Sequence, residues 1–169
     1  SAYGIGQDGM LFVQTGKMDA TKKVLESLRS FTKIDNPRLC FVLAGHLHED
    51  VVGEVESIIK KDGRIRFVGW RSAEDLRALL CAADVYVQPG TQSATMQMSL
   101  CARCAVILDD VPSHEPYVDG NGWLLGERVT LDNALREASA YPDKLIAMSS
   151  KSADIAARLL DYRKLAARI

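Results

Sequence analysis

Short apolar runs alternate with amphipathic segments along most of this 169-residue chain. Each run ends near a glycine or a polar turn, which is typical of a buried β-strand. The predicted strands cover residues 10–15, 39–44, 65–68, 85–87, 105–108 and a short extended segment at 121–125. Apolar side chains at helical spacing predict helices over 19–31, 49–61, 72–82, 96–102, 131–140 and 142–169. Ser72 and Asp75 form a capping box, so we expect the third helix to begin there.

Strands that are apolar along their whole length are buried on both faces, which is the arrangement of a parallel sheet. Their alternation with helices implies right-handed strand–helix–strand crossovers. We therefore predict a single Rossmann-like α/β domain over residues 1–169: a doubly wound, mostly parallel sheet with helices on both faces. Ligands of such sheets bind beyond the carboxyl ends of the strands, so the loops after residues 15, 44, 68, 88 and 109 are the candidate sites.

The composition narrows the classes of function. Hydrophobic residues make up 47% of the chain and charged residues 25%, which is typical of a folded globular domain. The net charge of −1 gives no general attraction to nucleic acid or to an anionic membrane, so any anion site must be local. No apolar run reaches the roughly 20 residues that span a bilayer, and no signal peptide is recognisable. The chain begins with Ser1 instead of Met, so we expect a processed or cloned fragment of a longer protein.

Cysteine and histidine patterns do not indicate a metal site. Four cysteines lie in or beside apolar runs, namely Cys40, Cys81, Cys101 and Cys104. Their sparse spacing predicts buried, reduced thiols in a cytosolic protein. The last two have CxxC spacing, but no second pair follows, so a redox or zinc role is disfavoured. His46, His48 and Glu49 bring two imidazoles and a carboxylate together without a further ligand, and we interpret them as helix-capping or solvent-exposed groups.

The segment after the fourth predicted strand favours an anion. Pro89 and Gly90 end that strand, and the small or polar residues Ser93, Ala94 and Thr95 precede a helix. Backbone N–H groups at a helix N-terminus have no intrahelical partner, and the helix dipole adds partial positive charge there. The sequence therefore predicts an anion site at Ser93–Thr95.

The loop after the first predicted strand supplies cations to the same edge of the sheet. Gly16 permits close approach of a ligand to the backbone, and Lys17 and Lys22 bracket the following turn. Two ammonium groups that converge on one pocket suit a diphosphate. The loop matches neither the GxGxxG nor the GxxxxGK[ST] pattern, which excludes the usual dinucleotide fingerprint and the P-loop. The alternative is that both lysines are solvated surface charges.

Two further loops offer weaker signals. Val68, Gly69 and Trp70 place backbone groups beside a large aromatic side chain, an arrangement that can hold a nucleobase edge-on, although such a tryptophan is more often simply packed. Glu115 brings an acid to the last loop, where a short helix begins, although a single glutamate in a loop is usually solvated.

Taken together, these loops resemble the C-terminal, donor-binding domain of retaining glycosyltransferases of the GT-B fold, in the large group 1 family that uses nucleotide-diphosphate sugars. The resemblance extends from Leu11 to about Leu125. Gly16 and Lys17, followed by Lys22, stand where the family has Gly-Arg and then a Lys that hold the donor diphosphate. Three more stretches match in order: residues 41–45, residues 66–90 with Val68 and Gly69 near the nucleobase, and Glu115 with the turn at 119–122.

One departure from the family pattern matters. The family has two glutamates seven residues apart, the first near the transferred sugar and the second on the ribose hydroxyls. The corresponding positions here are Ser93 and Met98, and no acid occurs between Asp84 and Asp109. The resemblance therefore implies that the ribose clamp is absent or is replaced by neutral hydrogen bonds from Gln92 or Gln97, which are weaker than charge-assisted ones.

The resemblance implies the donor-binding half of a glycosyltransferase that moves a hexose from a nucleotide-diphosphate sugar to a glycan, a lipid-linked or another acceptor. It implies no cofactor and no metal, a nucleotide sugar and an N-terminal acceptor-binding domain as partners, and no nucleic acid. It places the protein in the cytoplasm, in contact with the inner face of a membrane only through the missing domain. The sequence identifies no catalytic residue, and the fragment alone is expected to be inactive.

Two other interpretations stay open. A non-catalytic relative that uses the fold as a scaffold or protein-interaction module accounts for the missing acids, whereas the basic residues and Glu115 argue against it. A flavodoxin-like receiver accounts for the alternation of strands and helices. It would need an acidic cluster after the first strands, where Thr15, Gly16 and Lys17 stand instead.

Overall fold

A computed structural model of the chain describes Gly6, residues 9–161 and Arg163. Its strands are β1 (Met10–Met18), β2 (Leu39–Leu47), β3 (Ile65–Phe67), β4 (Val85–Gln88), β5 (Ala105–Asp109) and β6 (Gly122–Leu125). Its α-helices are α1 (Val24–Thr32), α2 (Val52–Lys61), α3 (Ala73–Ala82), α4 (Ala94–Cys101), α5 (Leu131–Ala140) and α6 (Pro142–Leu159). Two short 3₁₀ turns cover Ala20–Lys22 and Glu115–Tyr117. The part of the predicted last helix at 162 and 164–169 lies outside the described residues.

The six strands form one sheet in the order β3-β2-β1-β4-β5-β6, and every pairing is parallel. The predicted doubly wound α/β sheet is therefore confirmed. The chain winds outward from β1 through β2 to β3, then returns to β4 on the other side of β1. The winding reverses between β1 and β4, and in such sheets the crevice beyond that point holds the ligand.

Each face of the sheet has its own apolar layer. Phe12 of β1 contributes to the layer that contains side chains of α1, α2 and α5, whereas Val13 contributes to the layer with α3, α4 and α6. Phe12, Phe31 and Phe41 cluster in the first layer, with ring centroids 5.2–6.3 Å apart. Because all three rings are fully buried, each stabilises the fold by roughly 1.5–3 kcal/mol.

The first two strands are longer than predicted. We predicted ends at residues 15 and 44, but β1 continues to Met18 and β2 to Leu47, with Gly16 opposite Gly45. Both glycines have left-handed backbone angles, with φ of 119° and 137°. A Cβ on Gly45 would lie 2.0 Å from the Gly16 carbonyl oxygen. The glycines that suggested strand ends instead allow the two strands to stay paired at close range.

The predicted helix over 19–31 is interrupted. The Asp19 carboxylate accepts hydrogen bonds from the Thr21 and Lys22 amides and caps the short 3₁₀ turn. Lys23 then adopts a left-handed conformation at φ 50°, and α1 starts after it. Lys22 therefore lies in a separate turn at the end of β1 and not in the first turn of α1.

The cysteine prediction is half wrong. Cys40 and Cys104 are buried, but Cys81 on α3 and Cys101 on α4 are exposed. Burial raises the pKa of Cys104 to about 12, which keeps this thiol protonated. Within the described residues, no group of three His, Cys, Asp or Glu side chains could hold a metal ion. The helices described here include none that is long and apolar enough to cross a bilayer.

Candidate functional site

Helix α4 begins without a side-chain cap. Ser93 is its N-cap residue, with an extended backbone, yet its hydroxyl accepts no hydrogen bond from the first turn, and that turn contains no acid. The Met96 amide donates to the Ser93 carbonyl at 3.1 Å. The amides of Ala94 and Thr95 have no partner among the residues that the structure describes. These two N–H groups and the helix dipole are therefore available to an anion beyond the ends of β1 and β4.

A buried polar network explains why Ser93 does not cap its helix. The Ser93 hydroxyl donates to Gln88 Oε1 at 2.7 Å and lies 3.3 Å from the Tyr86 hydroxyl. Tyr86 also donates to Gln88 Oε1 at 2.8 Å and lies 3.1 Å from Thr15 Oγ1. Gln88 Nε2 donates to the Thr91 carbonyl at 2.8 Å. Burial raises the pKa of Tyr86 to about 12, so its hydroxyl stays protonated and able to donate. The network holds Ser93 toward the sheet and leaves the helix amides uncovered.

Lys22 contacts the chain immediately before this helix. Its Nζ donates to the Thr91 carbonyl at 2.5 Å and to the Gln92 carbonyl at 3.2 Å. Burial lowers the pKa of Lys22, and the nearby Asp19 carboxylate partly opposes that effect. Gly90 permits the contact, because a Cβ there would lie 2.3 Å from the Thr21 carbonyl oxygen and 2.9 Å from Lys22 Cα. The structure thus brings Lys22 to the segment before Ser93.

Lys17 has a different setting. It is exposed near the end of β1, in register with His46 of β2, and its ammonium group makes no hydrogen bond or ion pair with another described residue. Strand side chains alternate, so Lys17 shares the β1 face of Val13 and Thr15, on the side of α3 and α4. It is free to turn toward a ligand at this end of the sheet.

A cavity of about 80 Å³ lies where these elements meet. Its lining comes from the ends of β1 and β2, the loop after β3, and helices α3 and α4: Thr15, Gly16, Ala44, Gly45, Trp70, Arg71, Leu76 and Thr95. Gly16 and Thr95 from the predicted diphosphate site and Trp70 from the predicted base site are thus brought together. A cavity of about 10–15 Å³ holds a single water, so this cavity has room for one part of a nucleotide.

The loop after β3 has few free backbone groups. The Val68 amide donates to the Leu43 carbonyl at 2.9 Å, and the Gly69 carbonyl accepts from the Gly45 amide at 2.9 Å. The Val68 carbonyl accepts from Arg71 Nη2. The amides of Gly69 and Trp70 have no partner in the described part of the chain. The Trp70 side chain is 80% exposed, so it is not packed into the core and presents its ring to solvent at the edge of the cavity.

The residues predicted for the sugar and ribose are spread out. Gln92 is exposed beside the Lys22 contact. Gln97 Nε2 donates to the Tyr117 hydroxyl at 3.0 Å, and Gln97 lines a separate apolar groove of about 520 Å³ between α3 and α4. Glu115 is exposed at the start of the second 3₁₀ turn. None of the three lines the cavity that contains Gly16, Trp70 and Thr95.

Sequence reasoning missed the buried polar side chains of this site. Tyr86 and Gln88 were treated as ordinary strand residues, and Arg71 was passed over between Trp70 and the capping box. A signal was present for Gln88, because a glutamine at the end of a fully buried strand must find hydrogen-bond partners. For Arg71 the sequence carries no such signal, because arginines in loops are usually solvated.

Comparison with protein families places the chain in a known group. The family described as glycosyl transferases group 1 matches residues 9–140. A comparison of the sequence with curated proteins finds no match.

Solved structures share the fold at low sequence identity. Anabaena HepE, in complex with UDP and glucose, is 19% identical with a TM-score of 0.76 over 93% of this chain and 45% of HepE. WaaG, a glycosyltransferase involved in lipopolysaccharide biosynthesis, is 19% identical with a TM-score of 0.77 over 95% of this chain and 45% of WaaG. The catalytic domain of cholesterol-alpha-glucosyltransferase from Helicobacter pylori is 11% identical with a TM-score of 0.74, over 88% of this chain and 98% of that domain. The chain thus spans less than half the length of HepE and WaaG, and it has the Rossmann-like fold of one half of a GT-B glycosyltransferase.

Proposed function

Because the chain belongs to the group 1 glycosyltransferases, we propose that it is the C-terminal, donor-binding domain of a retaining enzyme of this family. The enzyme transfers a hexose from a nucleotide-diphosphate sugar to a glycan, a lipid-linked or another acceptor. An N-terminal domain of the same protein binds the acceptor. HepE and the pneumococcal O-GlcNAc transferase GtfA were solved with UDP, which supports a nucleoside diphosphate as the ligand of this fold.

The uncapped N-terminus of α4 is the observation that carries the proposal. The Ala94 and Thr95 amides are free because Tyr86 and Gln88 hold the Ser93 hydroxyl on the other side. A serine in this position normally satisfies one of these amides itself. An arrangement that leaves them open beside the Lys22 ammonium favours a bound diphosphate.

The same groups assist transfer. As the bond between the sugar anomeric carbon and the diphosphate oxygen breaks, negative charge grows on the diphosphate. A new bond forms from the anomeric carbon to the acceptor oxygen, and the proton of that acceptor hydroxyl passes to the leaving diphosphate. The α4 amides, Lys22 and Lys17 stabilise that charge in place, which is the preorganised electrostatic effect that accounts for much enzymatic rate enhancement. No side chain of this chain is assigned as a catalytic base.

The sugar and ribose contacts of the proposal are neutral. Ser93 and Met98 stand at the positions of the two family acids, and the glutamines just before them, Gln92 and Gln97, supply neutral side chains there. Glu115 is the acid that remains. Gln97 reaches the donor only if its hydrogen bond to Tyr117 is given up. We therefore expect weaker holding of the ribose than a carboxylate provides.

The remaining parts of the proposal follow from the family and the charge. The partners are a nucleotide sugar and the N-terminal domain, the net charge of −1 gives no attraction to nucleic acid, and the reaction uses no cofactor. The enzyme works in the cytoplasm and reaches the inner face of a membrane through its N-terminal domain.

Isothermal titration with UDP, GDP and their hexose conjugates tests the proposal. Ala94→Pro removes one free amide at N1, a position where proline fits, and the extended backbone of Ser93 suits the residue before a proline. We expect Ala94→Pro and Lys17→Ala each to weaken binding by about tenfold or more, since charge-assisted hydrogen bonds contribute about 1.5–3 kcal/mol. Ala94→Ser keeps the amide and serves as the control. Absence of nucleotide binding by the unaltered chain, or binding that neither variant changes, would refute the site.

A second candidate is a non-catalytic scaffold of the same fold. Ser93 and Met98 replace the two family acids, and the Ser93 hydroxyl donates to Gln88 instead of staying free for a ligand. Release of nucleoside diphosphate by the longer protein separates the candidates. Turnover supports the enzyme, whereas nucleotide binding with no turnover on any acceptor supports the scaffold.

A further inference from the structure

Arg71 has a guanidinium group with too few partners. Its Nη2 donates to the Val68 carbonyl, its Nε is buried without a hydrogen-bond partner, and Nη1 also has none among the described residues. No carboxylate in the described part of the chain pairs with it. The side chain follows β3 at the carboxyl edge of the sheet, on the loop between Trp70 and the N-cap of α3.

Arg64 shows how this fold treats an arginine that has only a structural role. It precedes β3, at the opposite edge of the sheet, and is likewise partly buried. Its Nε and Nη2 donate to the Asp62 carboxylate at 2.9 and 2.6 Å, and Nη1 donates to the carbonyls of Ile34 and Asn36. The same side chain at the two ends of one strand is therefore fully paired in one case and left without a counter-ion in the other.

A buried guanidinium N–H without a partner is costly, and buried charges in folded proteins are normally paired. Nε is enclosed, whereas the unpaired Nη1 is accessible, so Nη1 is the group through which Arg71 can take a partner from outside the chain. Arg71 lines the same cavity as Gly16 and Thr95, and the Thr95 amide is also free. A charged donor and a free helix amide at one cavity match a phosphate group, whose oxygens accept from arginine in a bidentate geometry.

We propose that Arg71 is a donor-binding residue whose guanidinium binds a phosphate of the nucleoside diphosphate in the cavity it shares with Thr95. This inference rests on the proposed function. It adds Arg71 to Lys17 and Lys22 as a third cationic side chain for the diphosphate. Trp70 lies beside it at the cavity edge, so the loop after β3 contacts the phosphate through Arg71 as well as the base through its backbone.

Titration of the chain with UDP, GDP and ADP identifies the tightest nucleoside diphosphate, which then serves as the probe together with its nucleoside. In Arg71→Gln we expect the diphosphate to bind about 10- to 100-fold more weakly, the usual range for a lost charge-assisted hydrogen bond. Binding of the nucleoside, followed by NMR, stays within about twofold of the unaltered chain. Arg71→Lys keeps the positive charge but lacks the planar guanidinium group that can bind two phosphate oxygens at once, so it recovers only part of the affinity.

Arg77→Gln is the matched control. Arg77 lies six positions further along, on the exposed side of α3 beside the apolar groove, and its loss changes the net charge equally. Unchanged diphosphate binding in Arg71→Gln overturns the inference and leaves the proposed function intact. Equal weakening of nucleoside and diphosphate also overturns it, because it means that Arg71 only shapes the base loop through Val68. If the unaltered chain binds none of UDP, GDP and ADP, the proposed function is wrong, and so is this inference.

Discussion

Helices α3 and α4 both begin with a serine in an extended backbone conformation, and both pack on the same face of the sheet. At α3, Ser72 Oγ accepts from the Asp75 amide at 3.1 Å and donates to the Asp75 carboxylate at 2.8 Å. At α4, the Ser93 hydroxyl makes no contact with its own helix and donates to Gln88 instead. One N-terminus is closed by its own residues, and the other is left open.

The difference shows that the same residue type at the same position serves two purposes. The cap of α3 uses only residues within one turn, so it stabilises that helix in any context. The free amides at the start of α4 depend on Tyr86 and Gln88 of strand β4, which hold the Ser93 hydroxyl. Helix α4 lacks a side-chain cap, an interaction that typically stabilises a protein by about 1 kcal/mol. Two backbone amides therefore stay available at the ligand-binding edge.

The largest effect is expected from closing the space at Gly90. In Gly90→Ala the new Cβ meets backbone atoms of Thr21 and Lys22, which cannot yield as a flexible side chain does. We expect a loss of stability of about 1–3 kcal/mol or more, and loss of nucleotide binding as Lys22 moves away from Thr91. Urea unfolding measures the first effect and titration the second.

Gly53 provides the control for that substitution. It lies in α2, and a Cβ there meets nothing within 4 Å. Gly53→Ala should therefore raise stability by about 0.5–1 kcal/mol. A Gly90→Ala variant as stable as the unaltered chain would contradict the role assigned to this close approach.

The next effect comes from closing the open helix. In Ser93→Asp the carboxylate is repelled by Gln88 Oε1 and turns to the free amides of α4, where a negative charge is favourable. We expect equal or higher stability, together with tenfold or greater loss of diphosphate affinity by titration. Ser93→Asn caps the same amides without the charge, so its affinity should fall less. Full affinity in Ser93→Asp would show that the anion lies elsewhere.

The smallest effect is expected at the closed helix. Ser72→Ala removes the acceptor of the Asp75 amide and should lower the free energy of unfolding by about 0.5–2 kcal/mol. Ser72→Asn, an equivalent cap, should restore most of it. Nucleotide affinity should not change in either variant, because the α3 cap is a structural contact. A Ser72→Ala variant with normal stability but impaired binding would reverse the assignment of the two helices.

Much of this protein was predictable from local patterns. The order of strands and helices, the parallel sheet and the Ser72 cap all follow from the spacing of apolar residues and from a four-residue motif. A helix N-terminus at Ser93–Thr95 was also predictable, but its free amides were not, because a serine at the N-cap normally satisfies one of them itself. The errors in strand length came at glycines: Gly16 and Gly45 suggested strand ends, although they instead let β1 and β2 remain paired.

The sequence by itself determined the fold, because periodicity and capping depend on residues that are near one another in the chain. Only the tertiary structure decided how the site is built. It brought Lys22 to carbonyls some 70 positions away, turned Ser93 toward Tyr86 and Gln88, and left Arg71 without a counter-ion. Contacts of this kind depend on the register and twist of segments far apart in the chain, and no local pattern of residues specifies them.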